Sequence, residues 1–240
     1  MFQKLALFYK QQQFYVNPIS VFINPNYFSR KGLFKCIQKE APFLKGRLLD
    51  FGCGRKPWRR LFNVDEYIGV DIEKSGHDHQ DSIIDIFYDG HTLPFEKYSF
   101  DSIFSSEVFE HLFNGDEILS EFNRVLKQGG QLLLTIPFTW NEHEEPYDFA
   151  RYTSFGITDL LRKHGFEIIR LHKTTTYFET ICQLFNSFWI ESVFPKNKLI
   201  RTILEVVFLG PLNVLFILLN YIMPNNKALY LNLVLLAKKI

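Results

Sequence analysis

A glycine turn and an acidic residue further along the chain are the residues best placed to bind a ligand. An apolar run at 48–51 leads into Gly52, Cys53 and Gly54. Glycines at such a turn let a ligand touch the backbone, because they carry no side chain that would block it. A second apolar run at 67–70 ends at Asp71, about 20 residues on, where a carboxylate is expected to hold both hydroxyls of a ribose. The pattern predicts a site for a ligand that carries a nucleoside.

A dinucleotide cofactor is one candidate for that ligand, because it uses the same strand ends. Its G-x-G-x-x-G fingerprint needs a third glycine at the position of Pro57. Proline suits the first turn of a helix, but it cannot provide the close helix packing for which that glycine serves. The sequence therefore disfavours a nucleotide-dependent oxidoreductase, although that alternative stays open.

Short apolar runs alternate with helical segments around these residues, which is typical of βα units and a parallel sheet. Strands are predicted at 47–51, 66–71, 81–86, 100–105, 130–136, 166–171 and 230–238. Helices are predicted at 27–40, 58–62, 116–126 and 156–163. In an open α/β sheet, ligands bind beyond the carboxyl ends of the strands, and the glycine turn and Asp71 both occupy such positions.

The segment 178–223 breaks this rhythm and predicts two or three apolar helices. Its last 18 residues, 206–223, carry no charge, which is at the lower edge of transmembrane length. A single crossing would separate the last predicted strand from its sheet, and Pro211 and Asn213 interrupt the run. Three alternatives stay open, namely a helical insertion on a membrane surface, a re-entrant hairpin, and packing on the protein itself or on a second copy.

Composition excludes several classes of protein. The 240 residues carry a formal net charge of +1, so we expect no nucleic-acid partner, because the chain lacks a broad basic field. Cys36, Cys53 and Cys182 are isolated, and this spacing predicts neither a metal site nor a disulfide framework. The N-terminal apolar run is too short for a signal peptide. We therefore expect a cytoplasmic protein.

Five segments, in order, resemble the class I S-adenosylmethionine-dependent methyltransferases, specifically the methyltransferase type 11 group. They are LLDFGCG at 48–54, DGHTLPF at 89–95, SFD at 99–101, EVFEH at 107–111 and VLKQGG at 125–130. The resemblance covers 43–171 and the last strand. It implies an α/β, doubly wound, Rossmann-like sheet of seven strands, the last antiparallel, with the hydrophobic helical insertion before the final strand.

The resemblance also implies a division of the chain. Residues 1–42 would form an aromatic N-terminal segment and helix, and 43–177 the S-adenosylmethionine-binding core. Residues 178–226 would be the hydrophobic helical insertion, and 227–240 the final strand of the core sheet.

The resemblance implies S-adenosylmethionine as the cofactor, with a set of residues for each end of it. Asp50 would orient the methionine end through its ammonium group, and the cofactor would lie against the backbone of Gly52, Cys53 and Gly54.

Four more residues would bind the adenosine end. Asp71 would accept hydrogen bonds from the ribose hydroxyls, and Ile72 would pack on the adenine face. Asp89 would accept from the adenine amino group, and the N–H of Gly90 would reach a ring nitrogen. The alternative for Asp89 and Gly90 is an ordinary Asp-Gly turn.

Two histidines beyond the strand ends are candidates for catalysis. They are His111, which follows the fourth strand, and His143, which follows the fifth and would act as a base. The stretch 146–153 resembles a P-x-D-x-x-R-aromatic-T segment of methyltransferases, some of them encoded near envelope polysaccharide genes. In it, Tyr147 and Arg151 would position the substrate. In the alternative, Arg151 forms a salt bridge with Asp148 that fixes the loop.

The resemblance favours methyl transfer to an O or N atom of a small-molecule or lipid-linked saccharide acceptor. The alternative from another class is a non-catalytic S-adenosylmethionine-binding partner protein. The apolar segment adds a peripheral position on the inner membrane face to the cytoplasmic prediction.

Overall fold

The computed structural model describes residues 12–73 and 82–240. They divide into two compact units. One, the helical unit, consists of the N-terminal residues through Lys35 and of Lys173–Asn232. The other, the α/β unit, consists of Cys36–His172 and Leu233–Ile240. All the cofactor and acceptor residues predicted from the sequence belong to the α/β unit.

A seven-stranded sheet has the order β3-β2-β1-β4-β5-β7-β6. The strands are β1 (Arg47–Phe51), β2 (Glu66–Ile72), β3 (Ile86–Tyr88), β4 (Phe100–Ser106), β5 (Leu126–Pro137), β6 (Phe166–Lys173) and β7 (Asn232–Lys239). The first five are parallel. The N–H of Ile240 donates to the carbonyl of Gly165 at 3.0 Å, just beyond the end of β7 and the start of β6, so these two strands run antiparallel. The predicted fold class is confirmed.

The central strands are rich in buried apolar residues because both faces of the sheet are covered. Leu48 and Leu49 in β1 are fully buried, and β1 pairs with β2 on one side and β4 on the other. Phe51, at the end of β1, stacks edge-on against Phe122 with ring centroids 4.9 Å apart. This packing fixes the position of the end of β1, directly before the glycine turn.

Three helices belong wholly or partly to the α/β unit: α2 (Tyr27–Glu40), α3 (Gly115–Val125) and α4 (Ser154–Lys163). The inward residues of α3, Ile118 and Phe122 among them, are fully buried. The hydroxyl of Thr153 accepts a hydrogen bond from the N–H of Gly156 at 3.0 Å and so caps α4. Gly165, with φ of +77°, ends that helix in the left-handed conformation typical of such caps.

Two predicted elements differ from the structure in position or type, and the fifth strand begins four residues before its predicted start at Gly130. The strand predicted at 81–86 is found at Ile86–Tyr88 instead, and Asp81 lies outside the described residues. Ile83 is exposed, so the apolar residues that suggested the earlier start do not face the core. The helix predicted at 58–62 is a single 3₁₀ turn, Arg59–Leu61, because so short a segment cannot offset the cost of helix nucleation.

The helical unit contains α1 (Ser20–Ile23), α5 (Tyr177–Phe188), α6 (Lys198–Leu204) and α7 (Gly210–Asn220), with π-helical turns at Trp189–Val193 and Glu205–Leu209. Helix α6, the second π turn and α7 make one continuous helix, Lys198–Asn220, which precedes β7 as predicted. Among the described residues, this helix alone is long and apolar enough to cross a membrane by length and composition. Of its most apolar 18-residue stretch, 22% is buried.

Candidate functional site

The glycine turn follows β1 directly and is fastened to the neighbouring strand. The backbone N–H groups of Gly52 and Cys53 both donate to the carbonyl of Val70 in β2, at 2.9 and 3.2 Å. Gly52 has φ of +69° and Gly54 φ of +46°, values that glycine adopts without the steric cost other residues incur. The turn is therefore held in one conformation.

The two glycines of the turn have different surroundings. A Cβ built on Gly52 would lie 2.6 Å from Cγ1 of Val108 and closer still to Cγ2, so this glycine allows Val108 to pack on the turn. A Cβ on Gly54 would meet nothing within 4 Å. The open side at Gly54 fits a ligand that lies against the backbone.

Asp71 at the end of β2 joins the strand to the glycine turn. One carboxylate oxygen accepts from the N–H of Gly54 at 2.9 Å, and the other accepts from the N–H of Ile72 at 2.8 Å. Each oxygen of an ionised carboxylate has two lone pairs. Asp71 therefore retains the capacity to accept hydrogen bonds from a pair of ribose hydroxyls.

Asp50 lies at the end of β1 and is 4% exposed. The hydroxyl of Tyr67 donates to it at 2.6 Å. Burial raises the pKa of the Asp50 carboxyl to about 7, and the hydrogen bond from Tyr67 opposes part of that rise. A ligand ammonium group beside this carboxyl would favour its charged form, and so the residue fits the role the resemblance gives it.

Asp89 and Gly90 follow β3 in a tight turn. One carboxylate oxygen of Asp89 accepts from the N–H groups of Thr92 and His91, at 2.7 and 2.8 Å, and these two bonds lower the pKa of Asp89. Gly90 has φ of +89°, and a Cβ on it would lie 3.2 Å from Cδ1 of Ile72. The Asp-Gly turn therefore exists, and it places Gly90 beside the residue expected to pack on adenine.

The chain is similar in sequence to known proteins. Residues 49–134 match the family model described as a methyltransferase domain. An uncharacterized protein of Methanocaldococcus jannaschii is 30% identical over 164 residues, which are 63% of this chain and 77% of the relative. The chain belongs to the class I S-adenosylmethionine-dependent methyltransferases. The cofactor of this methyltransferase is accordingly S-adenosylmethionine.

Solved structures share the fold of the methyltransferase at low sequence identity. An S-adenosylmethionine-dependent methyltransferase from Mesorhizobium loti has a TM-score of 0.54 and 12% identity, with 88% of this chain and 100% of that chain covered. Phosphoethanolamine N-methyltransferase 2 of Haemonchus contortus, in complex with S-adenosyl-L-methionine, has a TM-score of 0.52 and 23% identity, with 87% of this chain and 52% of that chain covered. These likenesses establish the fold.

The segment that follows β4 contacts the glycine turn and contains the first candidate catalytic histidine, His111. Glu107 donates its backbone N–H to the carbonyl of Thr135 in β5 at 3.0 Å. Val108, which packs on Gly52, accepts from the N–H of His111 at 2.9 Å. His111 therefore lies at the same end of the sheet as the glycine turn.

The structure brings the two candidate histidines together. The rings of His111 and His143 are 4.8 Å apart between centroids and nearly perpendicular, at 78°. Nδ1 of His111 is 2.7 Å from the carbonyl oxygen of Tyr147. Nδ1 of His143 is 3.1 Å from a carboxylate oxygen of Asp148 and 3.2 Å from the carbonyl oxygen of Asn141. Each ring is thus oriented through its Nδ1 atom.

Glu110 is a member of this cluster that the sequence analysis did not select. Its side chain is 1% exposed, and one of its oxygens lies 3.7 Å from Nε2 of His111. Burial, and then the charge of Glu107, raises the pKa of Glu110 well above its usual range. Its place directly before His111 in the EVFEH motif is the sequence signal that points to it.

Arg151 and Tyr147 lie in the loop that carries His143. Arg151 forms a two-pronged ion pair with Asp148, one bond of which measures 2.6 Å, and also donates to the carbonyl of Asn141 at 3.0 Å. Burial raises the pKa of Asp148, but the hydrogen bonds from Arg151 and from the backbone N–H of His143 outweigh it and lower this pKa to about 2. The salt bridge weighed as the alternative is present, and it holds the oxygen that faces His143.

Proposed function

We propose that this methyltransferase transfers the methyl group to an O or N atom of a small-molecule or lipid-linked saccharide acceptor that binds against His111 and His143. The observation that carries the proposal is that both rings meet beyond the ends of β4 and β5, and that Val108 joins this region to Gly52 of the cofactor turn. Acceptors in open α/β sheets bind at this edge. A nucleic-acid acceptor stays disfavoured by the net charge of +1.

The chemistry needs little from the protein beyond alignment and removal of a proton. S-adenosylmethionine supplies a methyl group on an already activated sulfonium, so the protein has mainly to hold the acceptor atom in line with it. We propose that His143 is the base that removes the proton from the acceptor atom. Because its Nδ1 faces acceptors on Asp148 and Asn141, this atom carries the hydrogen of the neutral ring, and Nε2 holds the lone pair that takes the proton.

Replacing His143 with alanine tests this assignment. We expect the rate of S-adenosylhomocysteine formation to fall by about 100-fold or more, the usual contribution of a positioned general base, while cofactor affinity stays unchanged. The rate is measured with cell extract separated into aqueous and lipid fractions as acceptor sources. His164→Ala is the matched control, since His164 pairs with Asp116 away from the cluster.

Wild-type protein that forms no S-adenosylhomocysteine with either fraction would contradict the proposed acceptor classes. Equal rates in the two histidine variants would contradict the role of His143.

The helix Lys198–Asn220 supports a lipid-linked acceptor, because polar side chains lie on its buried side while most of its large apolar side chains are exposed. Its buried side includes Glu205 and Asn213. Asn213 accepts a hydrogen bond from Asn186 at 2.8 Å and donates to the carbonyl of Val21 at 3.0 Å. The opposite side exposes large apolar residues, among them Leu199 at 71%, Val207 at 68% and Leu218 at 60%.

An apolar face of this kind lies favourably in the interface of a bilayer. Lys196 and Lys198, at the N-terminal end of the helix, are exposed and would meet anionic head groups. The helix does not cross the bilayer in this proposal, because β7 begins at Asn232 and belongs to the same sheet as β1. The methyltransferase would thus be a cytoplasmic protein that lies on the inner face of the membrane.

Liposome binding tests the membrane part of the proposal. We expect wild-type protein to sediment with vesicles that contain anionic lipid. The double variant Val207→Asp, Leu218→Asp should bind at least about 100-fold more weakly, since burial of each apolar side chain contributes about 1.5–3 kcal/mol and tenfold corresponds to about 1.4 kcal/mol. Both positions are exposed, so the fold should tolerate the change. The control is Phe155→Asp, which removes an equally exposed aromatic residue from α4. Wild type that stays in the supernatant would contradict a membrane surface.

A further inference from the structure

The cluster of Glu110, His111 and His143 contains more hydrogen-bond acceptors than donors. Nδ1 of His111 faces a carbonyl oxygen at 2.7 Å. Since a carbonyl can only accept, Nδ1 carries the hydrogen, and Nε2 of the neutral ring is left with a lone pair. Nε2 of His143 has a lone pair for the same reason.

The lone pair of His111 faces carboxylate oxygens rather than donors. Nε2 of His111 lies 3.7 Å from Oε1 of Glu110 and 3.6 Å from Oε1 of Glu144. Both carboxyl oxygens of Glu110 and Nε2 of His111 are buried. Within the described part of the chain, none of these three atoms has a hydrogen-bond partner. Buried polar atoms are ordinarily paired, so acceptors facing one another need a cation between them.

We propose that Glu110, His111 and His143 bind a divalent transition-metal ion of the zinc type. One ligand atom from each of the three residues lies within 4.8 Å of the other two. Two imidazoles and a carboxylate make a ligand set that zinc and its neighbours in the first transition row accept, with a position left for a further ligand. The isolated cysteines and the absence of a His/Cys ligand spacing had predicted no metal site.

The surroundings of the histidines match those of metal ligands. A metal-binding histidine usually donates its other N–H to a carboxylate or a backbone carbonyl, which fixes the tautomer and the ring orientation. His111 does so with the carbonyl of Tyr147, and His143 with Asp148 and the carbonyl of Asn141. Asp148 is itself held by Arg151. Glu144, whose Oε1 lies 3.6 Å from Nε2 of His111, borders the cluster.

Metal binding does not depend on the proposed acceptor, but a role for the ion in methyl transfer rests on the proposed function. An ion and a proton cannot share the lone pair on His143. In the metal-bound protein the ion replaces the base, since an acceptor hydroxyl bound to it loses its proton to water at a lower pH. The acceptor oxygen then forms its bond to the methyl carbon as the carbon–sulfur bond breaks.

Zinc titration of the full-length, untagged protein after chelator treatment tests the site. We expect one Zn²⁺ per chain in competition with a chromogenic zinc indicator, and a loss of affinity of about tenfold or more for each of His111→Ala, His143→Ala and Glu110→Gln. His164→Ala is the control, because it removes another histidine that pairs with a carboxylate. Zn²⁺ should also raise the Tm of wild type and leave that of His111→Ala unchanged.

Three outcomes are decisive. Stoichiometric binding that the cluster variants weaken and the control retains supports the proposal. Binding that all variants retain, or no binding of Zn²⁺, Co²⁺, Ni²⁺ or Mn²⁺ by folded wild type, overturns it and leaves a proton as the cation in the cluster. Circular dichroism of the metal-free variants checks that each is folded. The titration contains no S-adenosylmethionine, so its failure is separate from any failure of methyl transfer.

Discussion

Replacing Asp71 with alanine is expected to weaken binding of S-adenosylhomocysteine by about 100-fold or more. The variant lacks the carboxylate that we expect to accept hydrogen bonds from two ribose hydroxyls, and each bond to a charged group contributes about 1.5–3 kcal/mol. Asp71 also accepts from the N–H of Gly54 at 2.9 Å, so the change also loosens the turn on which we expect the cofactor to lie. Calorimetric titration of wild type and variant measures the effect.

The control for this titration is Asp159→Ala, which removes a carboxylate from an exposed position in α4. It should bind S-adenosylhomocysteine as wild type does. Asp71→Asn retains one oxygen that can accept from Gly54 and separates loss of charge from loss of the turn. Wild-type affinity in Asp71→Ala would show that the cofactor does not use the end of β2.

The two glycines of the turn are expected to respond to alanine in different ways. At Gly52 the new Cβ would collide with Val108, and φ is +69°. Overpacking costs about 1–3 kcal/mol and a left-handed residue about 1–2 kcal/mol. Gly52→Ala should therefore lower the free energy of unfolding by about 2–5 kcal/mol, and the Tm by roughly 2–4 °C for each kcal/mol.

Gly54→Ala serves as the matched variant, because a Cβ there meets no atom within 4 Å while φ is also positive, at +46°. Its stability should fall only by the backbone cost of about 1–2 kcal/mol, but the methyl group would occupy the side on which the cofactor lies. Thermal unfolding and cofactor titration of both variants give the comparison. Equal loss of stability in the two would contradict the difference in packing, and full cofactor affinity in Gly54→Ala would contradict the proposed cofactor position.

Much of the cofactor side was predictable from local patterns. The boundaries of β1 agree with the predicted 47–51 because an apolar run followed by glycine specifies both a buried strand and its end. Asp71 was placed at a strand end by similar reasoning, whereas Asp89 was implied only by the family resemblance of the segment 89–95. The predicted helix after the glycine turn was wrong, since helical periodicity over five residues says little where a segment is too short to nucleate.

The acceptor side depended on contacts that no local pattern encodes. His111 and His143 are 32 positions apart in the sequence, and their rings meet only because β4 and β5 are adjacent in the sheet. The burial of Glu110 likewise follows from packing around it rather than from its neighbours in sequence.

The sequence by itself determined the family and the order of the strands along the chain, and it predicted the cofactor-binding residues, because strand ends and glycine turns are local properties of a sequence. Only the tertiary structure decided which side of Lys198–Asn220 is exposed, since hydropathy along the chain does not reveal that Glu205 and Asn213 face inward. It alone also joined Glu110 to the two histidines, because a cluster assembled across strands has no signature in sequence spacing.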